Sequence, residues 1–198
     1  MIPPTPGLRR KLRTGVLVMA LFAGWAQADD YTPVTQLMGS GQLVQALQKA
    51  DQYLANNPRD PQMRFLKGLI QQDSGKPADA LATFVRLSQD YPELPEPYNN
   101  AAVLHAALGQ LDLARAALEA AIRASRSYAV AHENLGDVYA RLAAQAYCQS
   151  QQLDPGNTAL APKLALIRQL TGPGTPARAA TPPTDRTRPP TPAASASR

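Results

Sequence analysis

The chain has 198 residues but only one cysteine, two histidines and one tryptophan, and aromatic residues make up 6% of it. Each shortage excludes something. A single cysteine, Cys148, cannot form an internal disulfide. Its expected role is that of a small apolar packing residue, with an intermolecular link as the alternative. With no pair of Cys or His at ligand spacing, there is no zinc site to expect, and no glycine-rich run has the form of a phosphate loop. Carboxylate neighbours such as Asp29 and Asp30 are local and solvated. His105 and His132 are expected to be packing residues of the core or its margin. No catalytic residue, cofactor or metal is therefore expected, and the chain is read as a non-enzyme.

The formal charge of +5 belongs to the ends. Arg9, Arg10, Lys11 and Arg13 lie near the start, and Arg178, Arg186, Arg188 and Arg198 lie within 171–198 beside one acid, Asp185. Residues 29–170 hold 12 basic and 14 acidic side chains, net −2. Such a domain has no electrostatic case for a nucleic-acid partner.

The chain also has little long apolar sequence. The one run of note, Val16 to Trp25, follows the basic cluster and precedes Ala26-Gln27-Ala28. A basic segment, an apolar core and small residues at a cleavage point form the pattern of a secretory signal peptide. The run is about half the ~20 residues that a spanning helix needs. A retained anchor is the alternative. Without a cysteine after the run, no lipoprotein anchor is expected. The context of Arg9-Arg10 does not match a twin-arginine signal. Residues 1–28 are thus expected to be a leader cleaved after Ala28, giving a periplasmic protein with no stable membrane insertion. Residues 171–198 are dominated by Pro, Ala, Thr, Ser and Arg. This composition predicts a disordered tail whose removal leaves thermal stability nearly unchanged.

What the middle has in quantity is a period. Gly41, Gly75 and Gly109 are evenly spaced, and Ala46, Ala80 and Ala114 repeat the same interval. Pro58 and Pro92 share it, and so do the small residues Gly68, Ala102 and Gly136. A period of this length, about 34 residues, marks stacked helix–turn–helix units. The glycine stops the first helix of each pair. The small residues let the paired helices approach, and the proline separates units.

Residues 97–118 (Pro97-Tyr98-Asn99-Asn100-Ala101-Ala102 through Gly109-Gln110-Leu111-Asp112-Leu113-Ala114-Arg115-Ala116-Ala117-Leu118) resemble a tetratricopeptide-repeat motif. Residues 131–139, Ala-His-Glu-Asn-Leu-Gly-Asp-Val-Tyr, resemble the first helix of another. The resemblance covers about residues 30–155. It implies an all-α fold, a right-handed superhelix of antiparallel helix pairs with C-terminal capping helices. The units fall at about 29–60, 61–94 and 95–128, with an atypical unit at 129–156 and a cap at 157–170. The first unit has a degraded first helix. The second puts Arg64 and Lys67 where the family prefers apolar residues.

The fourth unit lacks its turn. Residues 140–146 contain no Gly, Pro or Asn, while Leu135, Tyr139, Leu142, Ala146 and Leu153 keep a continuous 3/4 spacing. That spacing predicts one helix from about Val130 to Leu153, with a sharp corner at Ala143 as the alternative. Leu160, Leu164, Ile167 and Leu170 then predict a capping helix.

The resemblance also implies a binding face on the first helix of each pair. In this phasing it comprises Gln62, Phe65, Leu69 and Gln72, then Glu96, Asn99, Val103 and Ala106, then Val130, Glu133, Asp137 and Arg141. Asn100 and Asn134, one period apart, are candidate backbone-bonding groups that also match a consensus asparagine. The face carries no Lys and is acidic at Glu133 and Asp137, which argues against acidic peptide ends. A neutral or basic protein segment with apolar anchors near Phe65 and Leu69 is the expected partner. The implied role is an adaptor in envelope assembly, with a holdase for unfolded envelope proteins as the rival; the oligomeric state is left open. The mature chain should begin close to Asp29. N-terminal sequencing of the secreted or periplasmic product checks this, and a product that retains Met1 contradicts the leader reading.

Overall fold

The computed structural model describes residues 31–170 and 178–182. Residues 1–30, which include the expected leader, residues 171–177 and residues 183–198 lie outside this range. Eight helices make up the described residues, with no strand among them. They are α1 (Thr32–Gly39), α2 (Leu43–Asn56), α3 (Pro61–Asp73), α4 (Pro77–Asp90), α5 (Pro95–Ala107), α6 (Leu111–Ala124), α7 (Ala129–Leu153) and α8 (Leu160–Leu170). Each helix packs on the next in chain order.

Three hairpin turns are built alike. Gly41, Gly75 and Gly109 have φ of +73°, +71° and +74°, a left-handed conformation that costs a side-chain-bearing residue about 1 kcal/mol or more. After each glycine the chain closes a pair of reversed bonds. Gly75 N–H reaches the Gln72 carbonyl at 3.0 Å and Lys76 N–H reaches that of Gln71 at 2.9 Å. Gly109 and Gln110 do the same to Ala106 and His105, and Gly41 and Gln42 to Met38 and Leu37. This is the Schellman pattern, which satisfies carbonyls that a helix end leaves open. Proline at the first position opens α3, α4 and α5, where its missing N–H is not needed.

The fourth glycine of the series would stand at position 143, and the residue there is Ala143. Without a residue suited to positive φ, and with alanine at 140, 143, 144 and 146, α7 runs on for 25 residues. α8 then packs back on α7, burying Leu160 and Leu164.

The apolar interior divides into three clusters along the stack, as expected where each unit touches only its neighbours. Ala46, Ala80 and Ala114 are all fully buried. Facing positions within a pair exchange volume. Val34 with Ala50 and Ala102 with Leu118 share clusters, and Gly68 faces Phe84 at the same register. Each pair matches one small side chain to a larger one, so helix separation is held while the residues differ. A Cβ at Gly68 would lie 2.6 Å from Cε1 of Phe84, whose ring is fully buried against Phe65.

Gly136 occupies the same register, but it is exposed and a Cβ there would meet nothing within 4 Å. The helix expected to face it does not fold back, because α7 does not turn. The polar residues of the second unit also have partners. Arg64 pairs with Asp90 at 2.7 Å and Lys67 with Asp51 at 2.7 Å, so α3 is tied to both flanking helices. Gly68→Ala should destabilise the protein by about 1–3 kcal/mol, lowering Tm by roughly 5 °C or more. Gly136→Ala should raise stability by about 0.5–1 kcal/mol. Thermal unfolding followed by circular dichroism checks both.

Candidate functional site

Positions 65, 99 and 133 share one register of the repeat, on α3, α5 and α7. Phe65, Asn99 and Glu133 there converge on one object, residues 178–182 of the same chain. That segment runs without helix, turn or bend. Thr181 precedes Pro182, a context that disfavours helical backbone. The tail was expected to bury nothing, yet Ala180 is 6% exposed and belongs to the apolar cluster that contains Phe65, Phe84, Ala101 and Leu104. The expectation that the tail can be removed without effect on stability therefore does not extend to these residues.

Three asparagines hold the segment by its backbone. Asn134 Oδ1 accepts from Arg178 N–H at 2.8 Å, and Asn134 Nδ2 donates to the Arg178 carbonyl at 2.9 Å. Asn99 Nδ2 donates to the same carbonyl at 3.1 Å, and Asn100 Oδ1 accepts from Ala180 N–H at 2.7 Å. The amides also brace each other, with Asn134 Nδ2 donating to Asn99 Oδ1 at 2.8 Å. Carboxamides suit this task because each carries both a donor and an acceptor. Buried polar groups of this kind are costly unless they are paired. Asn99, Asn100 and Asn134 are 0%, 0% and 2% exposed with the segment in place. Asn100 Nδ2 alone of these amide groups has no partner among the described residues.

One side chain of the segment is read by charge. Arg178 meets Glu133 at 3.5 Å, both groups more than half exposed, so the pair is weak. Tyr128 lies at the same end, between two of the apolar clusters. Burial and the Glu96 carboxylate push its hydroxyl up to about 12, with the Arg178 charge acting in the opposite direction.

Of the expected groove residues, Asn99, Asn100, Glu133 and Asn134 contact the segment directly, and Phe65 shares an apolar cluster with Ala180. Leu69 packs beneath, at the junction of two clusters, and Glu96 is buried beside Tyr128. Val103 and Asp137 are half-buried and make no contact with the segment given by these bonds or clusters. Arg141 instead donates to the Ala106 carbonyl at 3.2 Å, tying α7 to α5. Tyr128, Phe84 and Leu104 were not anticipated. Phe84 and Leu104 read as core, and Tyr128 stands where the two preceding units have Asp60 and Leu94, so no recurring residue type marks it.

The histidines depart in part from expectation. His105 is half-buried, its Nδ1 at 2.7 Å from Gln110 Oε1. His132 is exposed instead of packed, and its Nε2 donates to the Arg126 carbonyl at 3.1 Å. It precedes Glu133 at the rim of α7, where no helix covers it. Cys148 is half-buried on α7. Elsewhere, a cleft of about 770 Å³ is lined by Arg59, Arg64, Lys67, Arg86, Asp90 and Tyr91 among others, but Arg64 and Lys67 there are already in ion pairs. At the first junction, Asp60 caps α3 through Met63 N–H at 2.8 Å and accepts from the Tyr31 and Tyr53 hydroxyls at 2.6 and 2.9 Å. Burial and these bonds hold the Tyr31 hydroxyl well above its usual range. This network joins the first two units.

Family profiles described as tetratricopeptide repeat match residues 34–95 and 95–128. The chain carries tetratricopeptide repeats. The matched residues end where α7 is about to begin, just before the unit that lacks its turn. No curated protein matches the chain in sequence. Among solved structures, MamA protein superposes with a TM-score of 0.53 at 21% identity, covering 73% of this chain and 82% of that one. PcrH, solved in complex with the chaperone binding region of PopD, superposes with a TM-score of 0.53 at 20% identity, covering 61% of this chain and 98% of that one. At these identities the likeness is one of fold. The fold is that of a scaffold for protein or peptide partners.

Proposed function

We propose that this protein is an exported, non-enzymatic adaptor that holds an unfolded segment of another envelope protein in the groove of α3, α5 and α7. The seating of residues 178–182 on Asn99, Asn100 and Asn134 carries this reading, because it is the geometry by which a foreign segment would be held. Three kinds of contact do the holding: backbone bonds to asparagine, an apolar socket in the cluster of Phe65 and Phe84, and an acidic rim at Glu133, with Asp137 one turn further along α7. Together they favour a neutral or basic segment. The pattern of residues 9–28 supports export to the periplasm, with the leader removed after Ala28.

A chaperone-like holdase is the second reading, and one observation favours it. On the segment the asparagines bond only backbone atoms, which every peptide presents, so much of the grip is indifferent to sequence. The similarity in fold to PcrH, which was solved with a chaperone binding region, points the same way.

The experiment is in-cell crosslinking and affinity capture with mature protein, alongside a variant carrying Glu133→Lys and Asp137→Lys. One or two dominant partners at fixed stoichiometry, lost in the variant, are expected for the adaptor. A broad set of envelope proteins, unchanged in the variant, would replace the adaptor by the holdase.

A further inference from the structure

Resting on the reading of the groove as a peptide-holding site, we infer that residues 178–182 are a built-in competitor for it. We further infer that the segment they compete with has the same chemistry, a cation two positions ahead of a small residue in unbent backbone.

The selectivity follows from which positions are enclosed. Ala180 is the one buried residue of the segment, and it belongs to an apolar cluster that includes Phe65 and Phe84, whose ring centroids are 5.3 Å apart. A methyl group fits this socket. A longer side chain would have to displace members of this enclosed cluster, in which Phe84 already fills the space beside Gly68. Arg178 meets Glu133 and Ala180 is buried two residues on, so the carboxylate and the socket are read by one short segment. Ala179 and Thr181, between and beyond, are exposed and are free to vary.

Asn134 adds an anchor independent of side chains, bonding both the N–H and the carbonyl of one residue. A bidentate grip on residue 178 fixes the register, so that residue 180 falls at the socket. The amide of Asn100 is directed the same way. Its oxygen takes Ala180 N–H, and its fully buried nitrogen has no partner among the described residues, leaving a donor for one more carbonyl of an incoming chain.

The side chains of the occupant add little to its backbone bonds. Arg178 and Glu133 are exposed to solvent, and Ala180 is the one buried residue of the segment. Its advantage is covalent attachment, since a tethered segment acts at an effective concentration on the order of millimolar. A free segment of equal chemistry therefore binds the intact protein more weakly than it binds a form whose own segment is released. A segment that binds more tightly, or is itself tethered nearby, displaces the tail.

The test uses the full chain and a fluorescent peptide with the sequence of residues 174–184, followed by anisotropy. Full-length Ala180→Asp places a charge in the apolar socket and releases the tail, and the change lies outside the helical stack. The peptide should bind this variant on the order of tenfold or more tighter than it binds wild type. Adding Asn134→Ala to the variant should reverse the gain, as should a glutamate at the arginine position of the peptide or a leucine at its second alanine after that arginine. Equal binding to wild type and Ala180→Asp overturns the competition, and failure to bind either overturns the assigned chemistry. Sedimentation of wild type as a dimer that Ala180→Asp dissociates would place the segment in a second copy and overturn the intramolecular assignment. A partner of different chemistry, captured in cells and lost on charge reversal at Glu133 and Asp137, would leave the peptide-holding reading standing while overturning this one.

Discussion

A residue with φ near +70°, recurring once per repeat, decides where this chain turns back on itself, and most of the architecture follows from it. Gly41, Gly75 and Gly109 adopt that conformation and end α1, α3 and α5. Each turn brings the next helix against the last, and the small-to-large pairs Gly68 with Phe84 and Ala102 with Leu118 set the separation. Where the series reaches Ala143 the turn is missing, and its consequences spread. α7 extends over 25 residues, Gly136 loses the neighbour it would have faced, and α8 serves as the terminal cap. Repeat stacks need an end that differs from their interior. Here the end arises from the absence of one glycine.

The same register that stacks the helices assembles the groove. Because 65, 99 and 133 are one turn-position in successive units, an apolar residue, a carboxamide and a carboxylate form a row across three helices. The neighbouring register contributes Leu66 to the core but Asn100 and Asn134 to the groove floor. Buried carboxamides are an expensive way to build an interior. They are supportable here because they bond one another and the backbone of residues 178 and 180. The site is thus a polar row in an otherwise apolar stack, satisfied by a chain that supplies N–H and carbonyl groups in sequence.

The period alone made the hairpins legible, since glycine, alanine and proline each have a local physical reason for their place. The shared register of Phe65, Asn99 and Glu133, and that of Asn100 and Asn134, was legible for the same reason. The occupant was not legible. Residues 178–182 have the composition of a segment that cannot fold by itself, and composition says nothing about a socket on distant helices into which one alanine fits. Tyr128 was missed because its register holds Asp60 and Leu94 in other units, so periodicity gave no signal. His132 was placed by its family position, but the missing turn in α7 left that position uncovered.

The central claim is that the asparagine row receives an unbent backbone with a small side chain in the Phe65–Phe84 socket. Nuclear Overhauser contacts in the full-length protein, between the Ala180 methyl group and the ring protons of Phe65 and Phe84, test it most directly. The account predicts those contacts, together with an Ala180 methyl shift displaced by the rings. A random-coil shift for Ala180 with no contact to either ring would contradict it.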